Sequence, residues 1–243
     1  MTSYQGITLQ AKEAQALEAL EKHIGNEKIP PVNEIKTLTF GFVPKDEHVI
    51  GLGLYKKGLM KVPEHIRNFM NLVELSLWDN EITEIPEWVG SFKNLRELSL
   101  SANKIQMLPE NLSDLKNLEL LDLDDNKLIR LPDSIGSLTS LKALYLNDNI
   151  LKTLPESIGS LMNLQELSLP ANKLKTLPES IGSLKNLRSL NLSWNSLTNL
   201  PNSIINLTEL EKLMFDKNKL NSLPYSIEEW IQDLKEKGCI VFR

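Results

Sequence analysis

Leucine and isoleucine recur along most of the chain with a period of 23 residues. The segment from Leu141 to Asn163 reads LKALYLNDNILKTLPESIGSLMN, and the next segment, Leu164 to Asn186, reads LQELSLPANKLKTLPESIGSLKN. Eight such units begin at positions 49, 72, 95, 118, 141, 164, 187 and 210 and share the frame LxxLxLxxNxLxxLPxxIGxLxN. Repetition of this length predicts a solenoid, in which each unit is a coil that buries its apolar face against its neighbours.

The spacing of apolar positions in the first half of a unit predicts a short strand followed by an inward turn. Leu144, Tyr145 and Leu146 alternate between inward and outward positions, as a strand with one buried face does. An asparagine then follows, and its amide can pair with backbone groups that the turn leaves unbonded. We therefore predict a column of stacked side chains at this position: Lys57, Asn80, Asn103, Asn126, Asn149, Asn172, Asn195 and Asn218.

The second half of the unit predicts the opposite side of the coil. Proline in the Leu154-Pro155 pair disfavours a helix at its predecessor, and the ESIGSL segment after it is typical of a short helical turn. Glycines at one frame position, such as Gly159, are expected to serve this turn. The predicted fold class is an α/β solenoid, a curved leucine-rich horseshoe with a parallel sheet on the concave face and short helical or 3-10 turns on the convex face.

Residues 1–48 precede the repeats and are predicted to form an N-terminal cap, because an end coil would otherwise expose its core. The first seven residues are expected to be frayed, and Thr8 to Ile24 has the apolar spacing of a helix, with Glu13 and Glu21 on its polar side. Strand character from Ile35 to Val43 and a hairpin connection then lead into the first repeat. The alternative use of this segment is a partner-binding helix.

The eight-repeat array is predicted to span residues 49–224 and to lead into a C-terminal cap, residues 225–243. Apolar residues at helical spacing predict a cap helix, with Ser226 and Glu229 as a capping box at its start and Gly238 at its end. The apolar segment after this helix is expected to cover the last coil as an edge strand. With both ends capped, the chain is expected to be complete as a solenoid.

The repeated frame resembles the leucine-rich repeat family over residues 49–234. Its LPxxIGxL half is similar to the subclass found in Ras-associated intracellular scaffold proteins of animals and plants, and similar arrays occur in bacterial and archaeal proteins. The resemblance implies a horseshoe fold and a role in protein–protein interaction. It also implies a small Ras-like GTPase, or a regulator of one, as a partner.

Composition and charge narrow the setting in which such an array would act. A net charge of −5 and a pI near 5.4 argue against a nucleic-acid partner. The single cysteine, Cys239, leaves no internal disulfide, whereas extracellular members of the family usually carry cysteine-rich caps. The N-terminus lacks the pattern of a signal peptide, and no apolar run approaches the roughly 18 residues of a membrane span. We therefore expect a cytoplasmic monomer without a membrane span.

Catalytic chemistry finds no support in the sequence. The three histidines lie in or near the N-terminal cap at no ligand-like spacing, and there is no glycine-rich phosphate loop. The one oxygen-rich cluster joins Asp122, Asp124 and Asp125 to Asp148 of the next unit, but its spacing does not match a calcium loop. A solvated acidic patch is therefore favoured over a cation site, and we expect no enzyme activity, no cofactor and no metal.

The variable positions of the frame predict where a partner would bind. The third, fifth, seventh and eighth positions of each unit should project from the concave sheet, where the fold does not dictate their identity. Trp78, Tyr145 and Trp194 have no evident packing role there, and interfaces are enriched in aromatic anchors. Acidic side chains around such anchors predict a protein partner with a basic, partly apolar surface. The predicted partner-binding residues are Tyr55, Glu74, Trp78, Glu97, Asp122, Asp124, Asp125, Tyr145, Asp148, Glu166 and Trp194.

Two functions remain open on the sequence alone. One is a protein-interaction scaffold that binds through its concave face. The other is the recognition module of a modular enzyme system, such as a ubiquitin ligase or a GTPase-bearing protein. The two caps favour the scaffold, because the chain then closes without a further domain. The simplest alternative to both is a solvated concave face without a partner.

Overall fold

The computed structural model describes all of residues 1–243 and contains one continuous ten-stranded sheet. An antiparallel ribbon of β1 (Thr2–Tyr4) and β2 (Ile7–Leu9) comes first, and the helix α1 (Ala11–His23) follows it. The sheet strands are β3 (Phe40–Lys45), β4 (His48–Leu54), β5 (Glu74–Ser76), β6 (Glu97–Ser99), β7 (Leu120–Asp122), β8 (Ala143–Tyr145), β9 (Glu166–Ser168), β10 (Ser189–Asn191), β11 (Lys212–Met214) and β12 (Ile240–Phe242). The helix α2 (Tyr225–Glu236) connects β11 to β12.

Strands β4 to β12 are parallel neighbours, and equivalent frame positions pair across each interface between repeats, as Leu121 does with Leu144. On the other side of each coil, a five-residue 3-10 helix follows the proline. These helices are Glu64–Asn68, Glu87–Ser91, Glu110–Asp114, Asp133–Ser137, Glu156–Ser160, Glu179–Ser183 and Asn202–Asn206. The structure therefore confirms the curved solenoid, with the sheet on its concave face and 3-10 turns on its convex face.

The leucines and isoleucines of the frame fill one core. A single cluster of 65 buried apolar residues includes Leu17 of α1, the inward positions of every repeat and Trp230 of α2. Both terminal helices therefore share the core of the array. Burial of this kind is the main stabilising contribution in a stack of coils that cannot fold singly.

The predicted asparagine ladder is confirmed, and each member bonds two coils together. The Asn126 Nδ2 donates to the Leu100 carbonyl of the preceding coil at 2.9 Å and to the Leu123 carbonyl of its own coil at 3.2 Å. Its Oδ1 accepts the Ile105 N–H at 2.9 Å. The first repeat carries Lys57 instead, whose N–H donates to Asn80 Oδ1 at 2.9 Å.

Glycine is required on the convex side for a different reason from the one that the sequence suggested. Gly159 does not adopt a positive φ, so the turn itself does not require glycine there. A Cβ at Gly159 would lie 2.4 Å from the carbonyl oxygen of Ser180 in the next coil. The residue is therefore needed because adjacent coils approach too closely for a side chain.

The N-terminal cap differs from its prediction at both ends. Residues 1–7 are not frayed, because β1 pairs with β2 in the ribbon, and the helix begins at Ala11 rather than Thr8. The predicted strand from Ile35 begins only at Phe40, after a loop of residues 33–39, called here the cap loop. Strand β3 runs antiparallel to β4 and closes this end of the sheet.

Two carboxylates of α1 that the sequence placed on a polar face are buried. Glu13 accepts the Val49 N–H at 2.8 Å and so ties α1 to the first repeat strand. Glu21 accepts the Ile29 N–H at 3.1 Å and pairs with Lys28 at 2.7 Å. Burial opposes the charged form of Glu21, but the bonds from Lys28 and the Tyr4 hydroxyl outweigh it and hold its pKa below the usual value.

At the C-terminal end, the predicted helix and edge strand are both present, but the capping box is wrong. Helix α2 begins directly after Pro224, no side chain caps it, and Ser226 is already inside the first turn. Gly238 ends the helix at φ +93°, as predicted. The following strand β12 pairs with β11 in parallel, and Cys239 beside it is buried.

Candidate functional site

The concave face is a regular grid of side chains, because the strands pair in register. The third frame positions form one column: Glu74, Glu97, Leu120, Ala143, Glu166, Ser189 and Lys212. The fifth positions form the next: Ser76, Ser99, Asp122, Tyr145, Ser168, Asn191 and Met214. Neighbours within a column are separated by about one strand spacing, 4.8 Å, so their charges interact directly.

The centre of this grid concentrates negative charge. Asp122 accepts the Asp124 N–H at 3.1 Å and the Ser99 hydroxyl at 3.3 Å, while Asp124 accepts the Asn147 N–H and its Nδ2, each at 2.7 Å. Burial raises the pKa of Asp124 to about 6, and the charges of Asp122 and Asp148 add to the rise. Burial also raises the pKa of Asp122. The carboxylates therefore lie in a site that disfavours their charge.

Tyr145 extends this acidic centre towards the next repeat. Its hydroxyl donates to Glu166 Oε2 at 2.6 Å, across the column from β8 to β9. Burial and the Glu166 carboxylate raise the pKa of the Tyr145 phenol well above its usual value. The predicted aromatic anchor is thus a half-buried residue whose polar end is already bonded within the protein.

Asp125 and Asp148 lie at the eighth frame position, where the chain leaves the strand with positive φ, 48° and 51°. Aspartate tolerates this conformation better than most residues, which gives both a structural reason. Both are exposed. No group of three or more potential ligand side chains converges at a distance that would hold a metal ion.

The three tryptophan and tyrosine anchors differ in their surroundings. Trp78 stacks on Tyr55 with ring centroids 4.9 Å apart, so the expectation that Trp78 has no packing role is wrong. Trp194 is 61% exposed, and its only neighbour of note is Lys217, whose Nζ lies 5.8 Å from the ring centroid. It also has φ +56°, a conformation that bulky residues rarely adopt.

The cap loop covers the first repeat of the concave face, which the sequence analysis did not predict. A Cβ at Gly53 would lie 2.5 Å from the Thr39 carbonyl oxygen, and one at Gly51 would lie 2.9 Å from Ile35 Cγ1. The signal was present as two glycines at the third and fifth positions of the first repeat, where later repeats carry side chains. The open concave face therefore begins at the second repeat.

A groove of about 400 Å³ lies between the cap loop and the open face. We call it the roofed groove. Its lining residues are Ile35, Lys36, Thr37, Glu74, Leu75, Ser76, Glu97, Ser99, Leu120, Asp122 and Tyr145. It brings together four of the predicted partner-binding residues, Glu74, Glu97, Asp122 and Tyr145, with a segment of the cap. Ser76, Leu120 and the cap loop are members that the sequence analysis missed.

Some charged side chains outside the roofed groove form ion pairs between neighbouring repeats. Lys142 pairs with Glu119 at 2.5 Å and Arg96 with the same carboxylate at 3.1 Å, each from a neighbouring repeat. The far end of the concave face carries cations, with Lys212 in the third position and Lys217 in the eighth. The face is therefore acidic from the second to the sixth repeat and changes sign towards α2.

The repeated coils match two models of a known protein family. A family model described as "Leucine-rich repeat region" matches residues 88–172 and 158–236, and a second, "Leucine Rich Repeat", matches residues 71–92. The first model alone covers more than half of the chain. The chain belongs to the leucine-rich repeat family. A comparison with curated proteins finds none that matches it.

Solved structures of other leucine-rich repeat proteins are similar to this one. A leucine-rich repeat protein of Leptospira interrogans is 35% identical, with a TM-score of 0.59 over 75% of this chain and 52% of that one. The ectodomain of the Arabidopsis thaliana receptor kinase GASSHO1/SCHENGEN3, solved with CASPARIAN STRIP INTEGRITY FACTOR 2, is 34% identical, with a TM-score of 0.63 over 70% and 21%. The PEPR1–AtPEP1 structure is 31% identical, with a TM-score of 0.72 over 88% and 32%.

The leucine-rich repeat chain described here spans about half the length of the Leptospira protein and a smaller share of the two plant chains. No helix in it has the length and apolar character needed to cross a membrane. These similarities concern the array of coils. They do not extend to the identity of the side chains on the concave face.

Proposed function

We propose that the chain is a protein-interaction module that binds a protein partner on its concave face. Trp194 carries the proposal: it is 61% exposed at a positive-φ position where the other repeats place aspartate, alanine or lysine. Neither packing nor backbone preference favours tryptophan there, and tryptophan is a frequent anchor in protein interfaces. Its distance from Trp78, five strands away, is about 24 Å, so the partner surface is broad.

The partner we propose has a basic, partly apolar surface. Glu74, Glu97, Asp122, Asp124 and Glu166 supply the negative charge on the concave face, and steering by such a field speeds association with a basic protein. Two of the similar structures, GASSHO1/SCHENGEN3 in complex with CASPARIAN STRIP INTEGRITY FACTOR 2 and PEPR1–AtPEP1, pair a leucine-rich repeat chain with a second component, which supports a binding role for this array. Members of the family are generally binding scaffolds without enzyme activity.

A small Ras-like GTPase, or a regulator of one, is the partner class that the sequence resemblance favours. The proposed setting is the cytosol, where the single buried thiol of Cys239 would remain reduced, and the proposed state is a monomer. Light scattering on a size-exclusion column measures the last point directly. A stable dimer would contradict the proposed monomeric state and would leave the concave-face proposal unaffected.

Partner capture from the source cell, with quantification by mass spectrometry, tests the concave face. Trp194→Ala together with Trp78→Ala should weaken capture at least tenfold, because two interface anchors are lost. Tyr225→Ala is the matched control, since Tyr225 is 80% exposed at the start of α2 and not on the sheet. Equal capture by the double variant and the control would remove the concave face as the binding site.

A further inference from the structure

The roofed groove holds negative charge that no side chain of the protein neutralises. Glu74, Glu97 and Asp122 line it and take part in no ion pair, whereas Glu81 and Glu119, at other frame positions outside the groove, pair with lysines. The only cation in the lining, Lys36, is already paired with Glu34 at 2.6 Å. Like charges one strand apart repel, so this arrangement is unfavourable for the unbound protein.

A second and independent feature of the same groove is an unbonded hydroxyl. Ser76 is 4% exposed, its Oγ has no hydrogen-bond partner, and it lines the groove together with Glu74 and the cap loop. A buried hydroxyl without a partner is unfavourable by about 1–3 kcal/mol. The serine at the same position in the next repeat, Ser99, bonds to Asp122, so the unbonded state belongs to this end of the column.

The remaining walls of the groove are flat and apolar. The side chains of Leu120, Ile35 and Tyr145 lie around the acidic floor, and the Tyr145 ring is fixed by its bond to Glu166. Burial and the neighbouring charge of Glu97 raise the pKa of Glu74, so a bound cation would relieve a real electrostatic cost. The volume, about 400 Å³, admits one long side chain with its adjoining backbone.

We propose that the roofed groove receives an arginine side chain of the partner protein, with the guanidinium donors directed at Glu74, Glu97, Asp122 and the Ser76 hydroxyl. Arginine fits better than lysine because its planar group offers five donors to several acceptors and can stack on an aromatic wall. The inference rests on the proposed function, because the arginine belongs to a protein docked on the concave face. It specifies which end of that face makes the charged contact.

Titration with N-acetyl-arginine amide, followed by backbone amide NMR, tests the site without the partner. We expect saturable shifts around Glu74, Glu97 and Asp122, binding at least tenfold weaker for the neutral N-acetyl-citrulline amide, and weaker binding for N-acetyl-lysine amide. Citrulline binding equal to arginine would overturn the charge recognition. Lysine binding equal to arginine would overturn the assignment to a guanidinium group.

Three variants locate the contact on the protein. Glu97→Gln should weaken binding of N-acetyl-arginine amide about fivefold or more, and Ser76→Ala about threefold, because both residues line the groove and the Ser76 Oγ has no partner within the protein. Glu229→Gln, the same change on the exposed side of α2, should have no effect. An equal effect of all three variants would show diffuse attraction and overturn the site.

The two proposals fail in different ways. If Trp194→Ala removes partner capture while Glu97→Gln leaves arginine binding unchanged, the groove assignment is wrong and the concave-face proposal stands. If arginine binds in the groove but the tryptophan variants leave partner capture unchanged, the groove stands and the proposed docking face is wrong.

Discussion

The asparagine ladder is a column of polar side chains stacked one repeat apart, whereas the acidic centre of the concave face is formed by two carboxylates of a single repeat. In the ladder, every amide bonds to backbone of its own and the preceding coil, as Asn126 does. In the acidic centre, the carboxylates of Asp122 and Asp124 lie side by side in a site that raises their pKa values. The repeated asparagines therefore stabilise the fold, whereas the burial of charge at Asp122 and Asp124 opposes it.

The difference teaches where function is to be sought in a repeat protein. A polar column with all its bonds made internally has nothing to offer a ligand. A column with unneutralised charge and an unbonded hydroxyl keeps interaction free energy available for one. Substitutions in the first column should destabilise the protein, and substitutions in the second should leave stability unchanged or increase it.

Asn126→Ala should cause the largest loss of stability, about 3–5 kcal/mol, because it leaves several buried backbone groups unbonded in two coils. Urea unfolding followed by circular dichroism measures the change in the free energy of unfolding. Asn221→Ala, at an exposed position within the last repeat, is the matched control and should change it by less than about 0.5 kcal/mol. A loss below about 1 kcal/mol for Asn126→Ala would contradict the structural role of the ladder.

On the convex side, Gly159→Ala should lower the free energy of unfolding by about 2–3 kcal/mol, because the new methyl group would clash with the Ser180 carbonyl of the next coil. Ile205→Ala is the control at the same frame position of the seventh repeat, where the side chain is partly exposed. It should be milder than the glycine change by the same urea measurement. A neutral Gly159→Ala would show that the coils can separate at little cost.

Asp124→Asn should act in the opposite direction and raise stability at pH 7 by about 1–2 kcal/mol, after allowance for solvent screening of a half-buried group. The pKa of Asp124, about 6 in the folded protein against an ordinary 3.8, means that the folded state binds the proton more tightly. Its contribution to stability is therefore present at low pH and is lost as the pH rises through about 6.

The pH profile of the melting temperature checks this sign. Between pH 7 and pH 4.5 the difference between wild type and Asp124→Asn should shrink, because wild-type Asp124 becomes neutral as well. Asp133→Asn, on the convex side and exposed, serves as the control and should leave the profile unchanged. A variant less stable than wild type at pH 7 would show that the bonds to Asn147 outweigh the burial of the charge.

Trp194→Asn should give the smallest effect. It should raise the free energy of unfolding by about 0.5–1 kcal/mol, because asparagine tolerates positive φ better than tryptophan. Trp78→Ala should instead lose about 1 kcal/mol, since it removes the stack on Tyr55. Thermal unfolding would then distinguish the two tryptophans, because the Trp194 variant would raise the melting temperature and the Trp78 variant would lower it. A loss for both would mean that Trp194 packs in solution.

Most of the fold could be predicted from the sequence, because the same physical demand recurs in every coil. The leucine positions, the asparagine ladder and the 3-10 turns each repeat often enough to make one interpretation dominant. Each cap segment occurs only once, so its sequence pattern is compatible with more than one structure and no second copy decides between them. Glu13 and Glu21 looked solvent-facing because only the folded cap brings backbone N–H groups to them.

The candidate site was predictable in its residue types and not in its shape. The frame placed Glu97, Asp122 and Tyr145 on one face, which the structure confirms. The stacking of Trp78 on Tyr55 and the cover over Gly53 depend on contacts between side chains and a loop that no repeat position encodes. The paired glycines in the first repeat were the one usable sign of that cover.

The bonds between coils have a consequence for how such a protein can change length. Each ladder asparagine reaches a carbonyl 26 positions earlier and accepts an N–H 21 positions earlier, as Asn172 does with Leu146 and Leu151. Copying one whole coil into the gene would restore every one of these bonds at the new junctions. The concave face could therefore be lengthened in a single genetic event, with neither cap altered, whereas inserting even one extra residue inside a coil would break the register on both sides.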